Sequence, residues 1–377
     1  MSKINFLKNL DVRNKRALVR VDFDLPLDKK GKVSDTFRLK ESLPTIQYLI
    51  RQKAKVILIS HLGRPNGKKI EKLSLKPIAK ILSKFLKKKV LFASDPGKMK
   101  SGDVLLLENI RFFKEEEENS LEFAKKLVNS GDIFINEAFA VSHRECASIV
   151  GIPKFLPSAA GFSLEKEIKE LNKILKSPKK PLVAIIGGAK METKIKVINK
   201  FLKIADKVLI GGALANTIFA SKGVSMGDSV IDVDVFGEVK KIDPENLKLF
   251  LPIDLGIWNK GRVYYKEVSN LFEKEKALDI GPKTINLFCE IIKNTKTVVW
   301  NGPLGLTEQK PFDKASKEIV NCIAGSKAYS MVGGGDTIAF VREIKKEKVF
   351  DWISTGGGAM LDYLANGTLP GIEALKE

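Results

Sequence analysis

Short β-rich apolar runs recur along this chain, separated by amphipathic stretches long enough to be helices. Parallel strands cannot be joined by a tight hairpin and need a crossover of helical length, so this alternation selects repeated βαβ units. The pattern predicts an α/β fold with two doubly wound, Rossmann-like parallel sheets. Strands are expected in the first half at Ala17–Asp22, Val56–Ser60, Val104–Leu107 and Ile133–Asn136. In the second half they are expected at Leu182–Ile186, Lys207–Ile210, Leu249–Pro252, Thr297–Trp300, Ala328–Val332 and Asp351–Ser354. The two halves share one architecture without a short internal repeat. A length of 377 residues also exceeds what a single core usually serves.

A helical stripe of Leu164, Ile168, Leu171, Ile174 and Leu175 precedes Ser177-Pro178-Lys179-Lys180-Pro181. A clean stripe followed by a proline break marks the domain boundary, and it suits packing and a hinge equally.

Glycine clusters directly follow five of the second-half strands: Gly187-Gly188-Ala189-Lys190, Gly211-Gly212-Ala213, Asn301-Gly302-Pro303-Leu304-Gly305, Gly333-Gly334-Gly335-Asp336-Thr337 and Ser354-Thr355-Gly356-Gly357-Gly358. One such pair is usually a tight turn. Five at the carboxyl edge of one sheet form a place where backbone N–H groups and helix N-termini approach phosphate oxygens. No GxGxxG follows a strand and no GxxxxGK[ST] occurs, so neither the dinucleotide fingerprint nor a Walker A loop explains them.

Lys190 and Lys194 are four apart at the start of a predicted helix and would share its face. They are either surface lysines or, because a helix N-terminus disfavours cations, partners of an anion held there. Asp336 reads as an N-cap or as a magnesium carboxylate, the cap being favoured from local pattern.

The first half offers arginines near strand ends instead: Arg38, Arg64, Arg111 and Arg144, with both histidines, His61 and His143, close to two of them. Scattered arginines are normally surface residues. Ser60-His61-Leu62-Gly63-Arg64-Pro65 and Asp22-Phe23-Asp24, however, each follow an apolar strand, so their side chains should meet at one sheet edge, and the guanidinium fork suits carboxylate and phosphate. The halves thus suggest a polyanionic small acid on one edge and a nucleotide on the other.

A formal net charge of +20 admits nucleic acid, anionic substrates or a lysine-rich wet surface. Runs such as 84–89 and 240–248 lack aromatic interleaving, which favours the wet surface. Cys146, Cys289 and Cys322 are odd in number, form no CxxC pair and are expected to be reduced. With no apolar run of about 18 residues, neither a membrane span nor a signal segment is expected, and the cytoplasm is the expected location.

SHLGRP at Ser60, WNGPLG at Trp300, GGGDT at Gly333, STGGGA at Ser354 and LPGIEAL near the end occur in an order that closely resembles the phosphoglycerate kinase family, from Arg20-Val21-Asp22-Phe23 to Leu369-Pro370-Gly371-Ile372. The resemblance implies reversible phosphoryl transfer between 1,3-bisphosphoglycerate with ADP and 3-phosphoglycerate with ATP, with Mg²⁺, in glycolysis, by in-line transfer after hinge closure. It implies a phosphoglycerate-binding domain at 1–163, to which the tail 361–377 returns, a linking helix at 164–178 and a nucleotide-binding domain at 179–360. Asp22, Phe23, Asp24, Arg38, His61, Leu62, Gly63, Arg64, Arg111 and Arg144 would hold the acid. Gly187, Ala189, Lys190, Lys194, Gly211, Leu278, Asn301, Pro303, Glu308, Gly334, Gly335, Asp336 and Thr337 would hold the nucleotide, Glu308 on the ribose hydroxyls and Asp336 on the metal, which overrules the cap. Arg38, Lys190, Lys194, Gly356 and Gly357 would serve the chemistry. A monomer without nucleic-acid or membrane partners is expected.

The chain departs from the family pattern at four places. Asp24 stands where Asn is usual, which adds a carboxylate beside an anionic substrate. Cys146 replaces the second histidine of HRxHAS, Asn136-Glu137-Ala138 replaces Asn-Asp-Ala, and Thr307 replaces an aromatic before Glu308. The competing readings are a catalytically weak relative that binds nucleotide or nucleic acid, and a kinase for another phosphorylated acid.

Overall fold

The structure is a computed structural model that describes residues 3–243 and 245–376. The chain divides into two compact units, Met1–Lys169 with Thr368–Glu377, and Glu170–Gly367.

In the first unit six strands form one parallel sheet: β1 (Arg16–Arg20), β2 (Lys55–Ile59), β3 (Val90–Phe92), β4 (Val104–Leu106), β5 (Ile133–Asn136) and β6 (Ser158–Ala160), in the order β3-β4-β2-β1-β5-β6. The helices of this part of the chain are α1 (Phe37–Arg51), α2 (Lys76–Leu86), α3 (Lys114–Glu117), α4 (Leu121–Val128) and α5 (Phe162–Lys176). Leu39, Ile46 and Leu49 of α1 and Ile78 and Leu82 of α2 are buried in one core with Val19, Val56 and Leu58 of the sheet. Each such aliphatic side chain contributes about 1.5–3 kcal/mol by leaving water. The tail is tied to this unit by bonds from Gly371 N to Ser142 O and from Asn136 Nδ2 to Gly371 O.

The second unit contains β7 (Leu182–Ile186), β8 (Lys207–Ile210), β9 (Leu249–Phe250), β10 (Asp254–Asn259), β11 (Arg262–Glu267), β12 (Lys276–Ile280), β13 (Thr297–Asn301), β14 (Tyr329–Gly333) and β15 (Trp352–Ile353). Six of them make a parallel sheet in the order β15-β14-β13-β7-β8-β9. Its helices are α6 (Ile195–Ile204), α7 (Gly212–Ser221), α8 (Phe236–Val239), α9 (Pro282–Lys293), α10 (Lys314–Gly325), α11 (Gly335–Glu343) and α12 (Gly357–Asn366), and α13 (Pro370–Glu373) lies in the tail. Both parallel sheets predicted from the alternation are present. The five glycine clusters follow β7, β8, β13, β14 and β15, so all of them sit at the carboxyl edge of that one sheet.

A three-stranded antiparallel sheet, β11-β10-β12, was not anticipated. Its hairpin turns on Lys260 (φ 47°) and Gly261 (φ 83°), a two-residue loop with both residues left-handed, the geometry that matches strand twist. The short edge strands β3 and β6 were also missed.

Two expectations are corrected. Cys289 and Cys322 form a disulfide rather than remaining reduced, and only Cys146 is free, buried. They lie 33 residues apart, but α9 packs on α10 and brings their Cα atoms to 5.5 Å, a juxtaposition that sequence spacing does not reveal. Lys190 and Lys194 do not share a helical face, because α6 begins only at Ile195, with Lys194 as its N-cap and Lys190 in the preceding loop.

Candidate functional site

In the first unit the loops after β1 and β2 are joined by their side chains. Asp24 Oδ1 accepts a bond from Gly63 N at 2.8 Å, and Ser60 Oγ accepts one from Phe23 N at 2.9 Å. Arg38, the second residue of α1, pairs with Asp22 Oδ2 at 3.2 Å and donates to Asp24 O at 3.2 Å. Arg111, in a short 3₁₀ turn after β4, donates to Gly63 O at 2.9 Å and faces Glu117 at 3.4 Å. His61 is buried, with Nε2 3.6 Å from Asp24 Oδ2.

Asp24, Arg38, His61, Gly63 and Arg111 therefore form one connected group. Arg64 is exposed on the same loop, and half-buried Arg144 is near enough for its charge to bear on Arg111. Phe23 and Leu62 are core residues, so they can offer a ligand only backbone.

The charges in this group are unequal in cost. Burial lowers the pKa of Arg111, and the neighbouring Arg20 and Arg144 add to that, an arrangement that an incoming anion relieves. Burial works to raise Asp24, yet the nearby His61 ring, the hydrogen bond from Gly63 N and the charge of Arg38 hold it well below the usual carboxylate range. Asp24 is thus a fixed negative charge among the arginines.

In the second unit the glycine clusters enclose two adjoining cavities. One, about 180 Å³, has mostly apolar walls that include Val230, Pro252, Leu255, Ala277, Leu278, Ile280 and Leu306, with Glu308 on the same wall. The other, about 360 Å³, is lined by Lys190, Thr193, Lys194, Asn301, Gly302, Gly334, Gly335, Thr337, Gly357 and Gly358. Gly188, Ala189 and Asp336 line both. An apolar compartment for a planar base opening into a glycine- and lysine-lined one for phosphates is the division a nucleotide needs.

Close backbone approach makes this possible. A Cβ on Gly187 would lie 2.1 Å from Pro303 O, and Gly302, at φ 90°, would place one 2.1 Å from Gly187 O. No side chain fits at either position. Gly302 N also donates to the buried Thr337 Oγ1 at 2.7 Å, which joins the loop after β13 to the first turn of α11.

Lys194 does not wait for an anion. Its Nζ donates to Gly187 O at 2.7 Å, Asn301 Oδ1 at 2.6 Å and Asn301 O at 3.3 Å, so strand-end carbonyls offset the charge at the helix start. Burial lowers its pKa to about 8, against the nearby Asp336. Lys190 is exposed and makes the freer cation. Asp336 is the second residue of α11, whose N-cap is Gly334, and its carboxylate is exposed. Gly211 is a packing glycine, since a Cβ there would lie 2.6 Å from Leu304 Cδ2. Gly356 contributes an N–H bonded to Ser354 Oγ, and it is Gly357 and Gly358 that line the cavity.

Apart from Leu278, the apolar walls were missed, because single aliphatic residues on β10, β12 and the loops carry no motif. Asn216 was missed as well. Its Nδ2 donates to Val230 O and Ala277 O at 3.4 and 3.3 Å and so fixes two of those walls.

Residues 7–367 match the family model described as phosphoglycerate kinase. The chain is 42% identical to the phosphoglycerate kinase of Coprothermobacter proteolyticus over 99% of both chains, and 43% identical to that of Borrelia garinii subsp. bavariensis over 96% of both. Among solved structures it is similar to phosphoglycerate kinase from Coxiella burnetii (TM-score 0.88, 35% identity, 99% of each chain). It is also similar to that from Pyrococcus horikoshii OT3 (TM-score 0.85, 32% identity, 99% of this chain and 98% of the other).

Proposed function

The chain belongs to the phosphoglycerate kinase family, phosphotransferases with a carboxyl group as acceptor, and from that premise we propose which of its residues carry the transfer. The second unit holds ATP or ADP with the base in the apolar cavity, the ribose hydroxyls on Glu308 and the phosphates among Gly188, Ala189, Lys190 and Gly334–Thr337. The first unit holds 3-phosphoglycerate or 1,3-bisphosphoglycerate on Arg38, His61, Arg64, Arg111 and Arg144. The division of the second-unit cavity into an apolar and a cationic part carries this reading.

The acceptor carboxylate has a pKa near about 4 and is ionised at neutral pH, so no general base is needed. What remains is positioning and neutralisation of charge as the phosphoryl group passes in line between two oxygens. Arg38 and Lys190 are assigned that neutralisation, and the N–H groups of Gly357 and Gly358 add fixed donors at the start of α12. Ligands bound to separate units must be brought together, so hinge closure with exclusion of water belongs to the proposal. So do the domains at 1–163 with 361–377, 164–178 and 179–360.

The residues present fit Mg²⁺. That ion takes one or two carboxylates and completes its shell with phosphate oxygens and water, and Asp336 places one exposed carboxylate where both cavities meet. Among the described residues no cluster of three His, Cys, Asp or Glu competes for it. Held there, Mg²⁺ would supply positive charge to the nucleotide phosphates.

Work as a cytoplasmic monomer without nucleic acid completes the proposal. Among the described residues no helix is long and apolar enough to cross a membrane. A coupled assay with 3-phosphoglycerate, ATP and Mg²⁺ tests the whole. Turnover that loses nucleotide affinity in Glu308→Gln supports it, and absence of turnover with folded protein contradicts it.

A further inference from the structure

Behind the substrate group of the first unit lies a buried arginine that the transfer itself does not use. Arg20, the last residue of β1, is 2% exposed, and each of its three guanidinium nitrogens has a partner. Nε donates to Ser148 Oγ at 2.9 Å, Nη1 to Val21 O at 2.6 Å, and Nη2 lies 3.2 Å from His61 Nδ1. Ser148 is itself fixed. Its N–H donates to Glu116 Oε2 at 2.9 Å and its hydroxyl to Glu116 Oε1 at 2.5 Å, and it sits in a π-helical turn, Ala147–Gly151.

A guanidinium has only donors and does not deprotonate in proteins. The nitrogen it meets must therefore be an acceptor, which leaves the single imidazole proton on Nε2. We infer that Arg20 is a positioning residue that fixes His61 as the neutral Nε2–H tautomer and so presents one N–H donor toward Asp24 at the predicted substrate group. Glu116 and Ser148 hold Arg20 in that role. An imidazolium would turn a second N–H against the guanidinium and place two positive charges 3.2 Å apart.

The groups facing His61 agree. Burial lowers its pKa; Asp24 raises it, Arg20 lowers it, Asp22 raises it and Arg111 lowers it, with the net direction downward. The ring stays neutral where a free histidine would titrate. The inference rests on the substrate reading only for what the N–H is for, and the tautomer itself is independent of it.

The chain has two histidines, so nitrogen NMR of ¹⁵N-histidine-labelled protein gives two ring systems, assigned by His143→Gln. The expected spectrum for His61 is an unprotonated Nδ1 and a protonated Nε2, unchanged from about pH 8 to below 6. A protonated Nδ1, or an imidazolium at neutral pH, overturns the inference. Arg20→Met should shift His61 toward the imidazolium as pH falls, while Arg20→Gln, which keeps a neutral donor, should retain the tautomer. Should Arg20→Met not fold, the wild-type spectrum decides alone. Addition of 3-phosphoglycerate then tests the substrate reading separately, through movement of the Nε2 resonance.

Discussion

Asp24 sets a permanent negative charge beside the arginines proposed to hold a polyanionic acid, with its pKa held well below the usual carboxylate range. Its Oδ1 accepts the Gly63 N–H, a bond that an asparagine oxygen can keep. Asp24→Asn should therefore leave the Gly63 bond in place and remove the repulsion, while turning an amide Nδ2 instead of an acceptor toward the His61 Nε2–H. An interaction of about 1 kcal/mol corresponds to a roughly five-fold lower KM for 3-phosphoglycerate with kcat little changed. A KM that rises would show that the carboxylate is a favourable contact rather than a tax on binding. At this scale the sequence was readable where residue type implies chemistry. Arg38, His61, Arg111, Lys190, Asp336 and Glu308 all lie on the two groups described. It was unreadable where one side chain acts through another: nothing in Arg20-Val21-Asp22-Phe23 tells that Arg20 turns inward to His61 and Ser148 while Arg38 faces Asp22.

The start of α5 is built on a buried carboxyl. Glu137, where the family resemblance leads one to expect Asp, is 2% exposed. Its Oε1 accepts from Ser163 N at 3.1 Å, its Oε2 has no hydrogen-bond partner, and Gly161 leaves it room, since a Cβ there would lie 1.8 Å from Oε2. Burial pushes its pKa well above the ordinary 4.5, opposed by the bonds from Ser163 and Thr45 and assisted by Glu41 and Glu165. The folded state then holds a proton that the unfolded state releases, so stability is fully present below about pH 4.5 and falls as pH rises toward the raised value. Urea unfolding should show the wild type losing stability relative to Glu137→Gln as pH rises above the ordinary carboxyl value of 4.5. Parallel curves would contradict this.

Between α9 and α10 the Cys289–Cys322 bridge closes a 33-residue separation, which in a chain-entropy account contributes about 4 kcal/mol. Cys289→Ala with Cys322→Ala should lower the melting temperature by several degrees, and no change would mean the bridge is idle. Parallel strands with helical crossovers were legible, because burial on both faces leaves unbroken apolar runs such as Leu182–Ile186. The β10–β11 hairpin carried its own signal in Asn259-Lys260-Gly261-Arg262, but an antiparallel two-residue turn lies outside the βαβ alternation. Packing of α9 on α10, and hence the bridge, has no signature along the chain.

At the scale of the molecule, a net charge of +20 accompanies two groups that are both proposed to bind anions. A field of that sign concentrates phosphorylated ligands near the surface and is screened by salt, so KM for 3-phosphoglycerate should rise with ionic strength more steeply than kcat changes. Arg38 differs from the other arginines in its proposed role: it is assigned to the phosphoryl group in flight, where a charge acts on the transition state more than on the bound ground state. Steady-state kinetics of Arg38→Ala with both substrates varied is the most direct test. The account predicts kcat lower by about 10²–10³ with both KM values within a few-fold of wild type. A variant that keeps kcat and loses only affinity for 3-phosphoglycerate would make Arg38 a binding residue and remove the catalytic role given to it.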